Sequence, residues 1–166
     1  MRLAAVTILV LLSAVVAPTV AAEEGEDDGA GGALGVAAVV ALGLSGGTAV
    51  ANLARRRILL PRLRGNKQAI LLTMRLHRKA WLPLHLVAGV ATVVLGTLHG
   101  LAEGEGNWML WGSMVAFGFL TVGGAVLAWK WTPASVRKGV YLLHSQQLVF
   151  LATIALLVTG HALGGD

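Results

Sequence analysis

Beyond its first 30 residues the chain is organised as four long apolar runs, 31–54, 80–101, 108–129 and 139–163, separated by short polar connections. Each is near the roughly 20 residues a helix needs to cross a hydrocarbon core of about 30 Å. None alternates apolar and polar positions with period two, so the pattern predicts spanning helices rather than barrel strands. The expected fold class is an all-α integral membrane four-helix bundle occupying residues 31–166.

Two stretches outside the spans have patterns of their own. Residues 1–22 carry Arg2, then an apolar run from Leu3 to Val16, then Pro18 and small residues with Val20 and Ala22 where a signal peptidase would read. That is the pattern of a secretory signal peptide cleaved before Glu23; an uncleaved additional span is the alternative. Residues 23–30 are then a short acidic external segment. The link 55–79 mixes Arg and Lys with Ile, Leu and Met, and is expected to lie at the membrane surface as an amphipathic segment.

Composition strengthens the membrane assignment. Of 166 residues, 56% are hydrophobic and only 13% charged, against about 25% charged in soluble domains. That excludes a soluble globular domain and a disordered chain. Absence of cysteine excludes disulfides, thiolate zinc sites, iron–sulfur clusters and covalent c-type haem attachment.

Charge then orients the bundle. In a four-span arrangement all 13 Lys and Arg fall on one side and all 8 Asp and Glu on the other. Lys and Arg stay cytoplasmic, so a multi-pass cell-membrane protein is expected, with the mature N-terminus and the C-terminus both outside. The net charge of +5 then reflects loops facing anionic membrane lipid, and no nucleic-acid partner is implied. Trp81, Trp108, Trp111, Trp129 and Trp131 lie near span ends, as an interfacial belt requires.

The candidate chemistry lies with histidine. His85 and His99 share the second span; His144 and His161 share the fourth. Ionisable side chains inside a membrane are costly and point to function. The 14-residue step from His85 to His99 brings the helix within about 40° of its starting direction and rises about 21 Å. The second and fourth spans run the same way, so His85 matches His144 in depth and His99 matches His161. Two imidazoles at one level can clamp an iron porphyrin between helices. Glycines such as Gly35, Gly89, Gly96, Gly123 and Gly124 would let a flat ring approach the backbone, with ordinary small-residue packing as the alternative.

The stretch His85 to His99, H-L-V-A-G-V-A-T-V-V-L-G-T-L-H, resembles the ligand-bearing helix of membrane diheme cytochromes b: respiratory cytochrome b, the cytochrome b561 families and the ferric reductase transmembrane domain. The resemblance runs from L-H-R-K (Leu76 to Lys79) to T-G-H (Thr159 to His161), about half the chain. It implies two bis-histidine b-type haems and electron transfer across the membrane. Carried over residue by residue, His85 and His144 would hold an inner haem iron, and His99 and His161 an outer one.

One spacing departs from that pattern. His144 and His161 are 17 residues apart, which on a continuous helix leaves them about 100° out of line; Gln147, not a histidine, stands 14 before His161. A wide turn or tilt near Gly160 is expected to absorb the difference, and a one-haem version with His85 and His144 alone stays open. Arg78, Lys79, Arg137 and Lys138 could meet propionates of an inner haem, or serve only as topology determinants. Ser145, Gln146 and Gln147 could orient an imidazole, hydrogen-bond a quinone, or hold helices together. His77 reads as a solvated member of the basic link.

No dinucleotide fingerprint, Walker loop or catalytic triad is present in the sequence. With the electron transfer that the resemblance implies, the expected function is transfer between a membrane quinol pool and an external redox protein such as a c-type cytochrome, as an oxidoreductase subunit of a larger complex. Two alternatives remain: a one-haem anchor of a dehydrogenase, and a haem-free protein whose histidines bind metal or move protons.

Overall fold

The computed structural model describes residues 30–129 and 132–164. The expected signal peptide and nearly all of the acidic segment lie outside these residues, as do Lys130, Trp131 and the C-terminal Asp166. Among the described residues every regular element is helical. Helix α1 (Ala30–Ala54) runs through a π-helical turn, Arg55–Leu59, into a short end at Leu60–Arg62. Helix α2 (Lys67–Leu76) passes through a second π turn, His77–Trp81, into α3 (Leu82–Ala102). Then come α4 (Trp108–Ala128), α5 (Ala134–His144) and α6 (Gln147–Leu163).

Three of these rods are long and apolar enough to cross a membrane: Gly31–Arg62, Lys67–Ala102 and Trp108–Ala128. A fourth is reached if α5 and α6, bent by 52° at their junction, count as one broken span. The link 55–79, read as an amphipathic surface segment, is helical, and its two halves continue the first two rods into an antiparallel hairpin. Its turn suits the local chemistry. Gly65 takes the left-handed φ of 100° that side chains disfavour, and Asn66 caps α2 by accepting a hydrogen bond from the Ala69 N–H at 3.0 Å.

At the other end, Gly104 at φ 65° closes α3. Asn107 then opens α4, accepting from the Met109 N–H at 2.9 Å, and its side-chain amide donates to the Gly160 carbonyl at 2.8 Å. One residue thus caps one helix and holds the end of another.

Packing is most extensive between α1 and α3, followed by α3 with α4 and α4 with α6. The interior combines small residues with a few large ones. Ala38, Ala41 and Ala88 are buried along with Leu110, Phe117 and Ile154, and Ser113 is completely so. The buried hydroxyls of Thr92, Ser113 and Thr153 each donate to a carbonyl of their own helix at 2.7–2.8 Å, which leaves no polar cost. Many other large apolar side chains point outward: Val87 is 68% and Phe119 75% exposed. Such an inverted surface is compatible with a membrane setting.

Candidate functional site

Helix α3 presents His85 near its start and His99 near its end, and each meets a histidine from the last two helices. The ring centroids of His85 and His144 are 6.1 Å apart, with planes at 75°. Those of His99 and His161 are also 6.1 Å apart, with planes at 33°. An imidazole nitrogen binds a first-row metal at about 2.0 Å and lies roughly 1.1 Å from its ring centre, so two trans imidazoles place their centroids about 6.2 Å apart. Both pairs stand at that spacing.

The 17-residue step is absorbed at Ser145–Gln146, not at Gly160. Helix α5 ends on His144, the chain turns by 52°, and α6 restarts at Gln147 with a new rotational phase. Ser145, Gln146 and Gln147 are exposed and supply this break; the His144 ring is oriented by a backbone group instead. Gly160 lies inside α6, buried against Leu110.

Three of the four imidazoles have Nδ1 committed to a carbonyl. His144 Nδ1 lies 2.9 Å from the Leu120 carbonyl, His99 Nδ1 2.9 Å from that of Gly31, and His85 Nδ1 3.0 Å from that of Ser45. With Nδ1–H donating to a carbonyl, the Nε2 lone pair is left for a ligand. The Ser45 carbonyl also accepts from the Thr48 hydroxyl at 2.7 Å, and that hydroxyl is 3.1 Å from His85 Nδ1. His161 has no hydrogen-bond partner among the described residues and is exposed.

Sequence reasoning missed these carbonyls, because any residue supplies one. Ser45 and Thr48, three apart on an otherwise apolar helix, were the available signal. The glycines divide between both expectations. A Cβ on Gly35 would come within 3.0 Å of His99 Cε1, and one on Gly124 within 3.2 Å of His144 Cε1, so these two make room for imidazoles. Gly96, Gly112 and Gly160 instead admit Met114, Leu156 and Leu110, which is helix packing.

His77 is not a solvated member of the basic link. It is partly buried, and burial followed by the charges of Arg55, Arg56 and His85 holds its imidazole below the usual 6.5. Arg78, Lys79, Arg137 and Lys138 are exposed.

Compared with protein-family models, curated proteins and solved structures, the chain matches none. Among the described residues no three His, Cys, Asp or Glu side chains gather where they could hold a metal ion. Each level brings two imidazoles together.

Proposed function

We propose that the protein is a four-helix membrane cytochrome of b type, holding two haems and carrying electrons between the faces of the membrane. The supporting observation is the pair of neighbouring imidazoles at each of two levels, with centroids 6.1 Å apart. Donor chemistry agrees: the Nδ1 atoms of His85, His99 and His144 are committed to carbonyls, the arrangement that presents Nε2 to a metal. His85 and His144 would ligate the inner haem, His99 and His161 the outer. Iron held by these histidines would supply one-electron transfer.

The chain's own residues supply orientation and insulation. Carbonyls of α1 and α4 fix the ring tautomers, and Gly35 and Gly124 let two of the rings seat close to the backbone. Phe150, between His144 and His161 in sequence, packs edge-on to Phe117 at 6.2 Å and keeps that part of the interior apolar. The basic hairpin and the turn with Glu103 and Glu105 sit at opposite ends of the rods. By the charge rule the hairpin is cytoplasmic and both mature termini are external, behind a cleaved signal peptide. A membrane quinol is the donor and an external redox protein the acceptor.

The test is direct. The purified chain should show sharp b-type bands in a reduced-minus-oxidised spectrum, two haems per chain, and little carbon monoxide binding. A colourless protein would end this reading. A second reading, one haem at His85 and His144, is favoured by the exposed His161, whose ring no hydrogen bond orients among the described residues.

A further inference from the structure

The two π-helical turns lie side by side in the antiparallel hairpin, and a cleft of about 440 Å³ opens between them. That volume falls in the roughly 300–1,000 Å³ range of small-molecule sites. π turns are rare and frequently sit at functional positions; here Arg55, Ile58 and Leu59 come from one, His77 and Trp81 from the other. Walls of Ala51, Ile58, Leu59, Leu76 and Trp81 are apolar, and the polar groups are few.

Those polar groups lack some of their partners. The Arg55 guanidinium donates from one end to Asn52 Oδ1 at 2.8 Å, but its Nε is buried with no hydrogen-bond partner among the described residues. A buried donor left this way is costly unless something accepts from it. His77 stands opposite on the second π turn.

We propose that this cleft binds the ring of a membrane quinol or quinone, with a ring oxygen accepting from Arg55 and another facing His77. The occupant must be mostly apolar and equipped with a few separated oxygens. A quinone meets both conditions. A lipid phosphate would pair with the Arg55 charge but would have to enter between walls that are mostly apolar. The neutral state favoured at His77 suits it to accept a hydrogen bond from a quinol hydroxyl. His85 lies eight residues beyond His77, about 12 Å of rise along nearly the same rod, so the inference rests on the proposed function and gives its donor a place to bind.

The full chain in phosphatidylcholine nanodiscs would be titrated with a decyl-benzoquinone and a short-chain menaquinone, following the quenching that Trp81→Phe removes. Arg55→Gln and His77→Phe should each weaken binding about tenfold. Ile58→Trp, which fills the cleft without touching either polar group, should abolish it while far-UV circular dichroism stays unchanged. Quinone affinity unaltered by all three substitutions would overturn the site. So would displacement of the quinone by phosphatidylglycerol in the disc, which would make the cleft an anion site. Haem bands recorded on the same samples separate the two readings. Bands without quinone binding remove the cleft proposal alone, whereas binding without bands leaves the cleft and removes the cytochrome.

Discussion

The imidazole planes of His85 and His144 cross at 75°, close to perpendicular, with their centroids 6.1 Å apart. The outer pair, His99 and His161, has the same separation at only 33°. Relative ring orientation sets the splitting of the iron orbitals in a low-spin ferric haem. The inner haem should therefore give a strongly anisotropic, large-g electron paramagnetic resonance signal, and the outer an ordinary rhombic one. His85→Ala and His144→Ala should each remove the first signal, and His99→Ala and His161→Ala the second. If His85→Ala and His161→Ala removed the same signal, the pairing would be wrong.

What was legible in the chain, and what was not, follows from where each feature is encoded. The apolar runs gave the rods, because burial in lipid is written in side chains: 31–54 became Ala30–Ala54, and 108–129 became Trp108–Ala128. The fourth run did not stay whole, since a break at Ser145–Gln146 between two helical stretches leaves no strong compositional mark. Nor was the hairpin legible, because scattered Arg and Lys look alike on a surface segment and on helices that leave the membrane. The partners of His85, His99 and His144 are carbonyls, and a carbonyl has no residue type.

Steric room should separate the glycines. Gly35→Ala places a methyl about 3.0 Å from His99 Cε1, and overpacking of this kind costs about 1–3 kcal/mol. The outer haem should be depleted and the inner retained. Gly43→Ala meets nothing within 4 Å and should leave both haems in place, with thermal stability equal or slightly higher because Ala favours helix over Gly. Equal haem content in both variants would show that His99 is not seated against α1.

Asn107 links the cap of α4 to the end of α6. Removing it as Asn107→Ala should cost about 1 kcal/mol from the cap alone and release the Gly160 carbonyl next to His161. The expected result is a lower melting temperature with selective broadening or loss of the rhombic signal. An equal effect on both haem signals would mean that Asn107 supports the bundle generally rather than the outer pair.

Acidification should act first on the hairpin. The folded-state pKa of His77 lies below 6.5, so the unfolded chain binds the proton more readily. His77 therefore costs nothing above about pH 6.5 and destabilises the folded hairpin as pH falls below that value. A ring-proton titration by nuclear magnetic resonance should give a midpoint below 6.5, and Arg55→Gln should raise it by removing a neighbouring positive charge. A midpoint at or above 6.5 in the unsubstituted protein would place His77 in water.

Electron transfer across the membrane should need both histidine pairs. His85 and His99 are separated by about 21 Å along α3, and neither level alone covers a hydrocarbon core of about 30 Å. Vesicles holding the protein, with the basic hairpin inside and reductant enclosed, should reduce an impermeant acceptor outside. A reporter inserted at Gly65 identifies vesicles of that orientation. His85→Ala and His99→Ala should each abolish acceptor reduction while removing different haem signals, because the path is broken at different depths. Reduction that survived His85→Ala would mean that electrons enter at the outer level, and the inner pair would then need a role other than conduction.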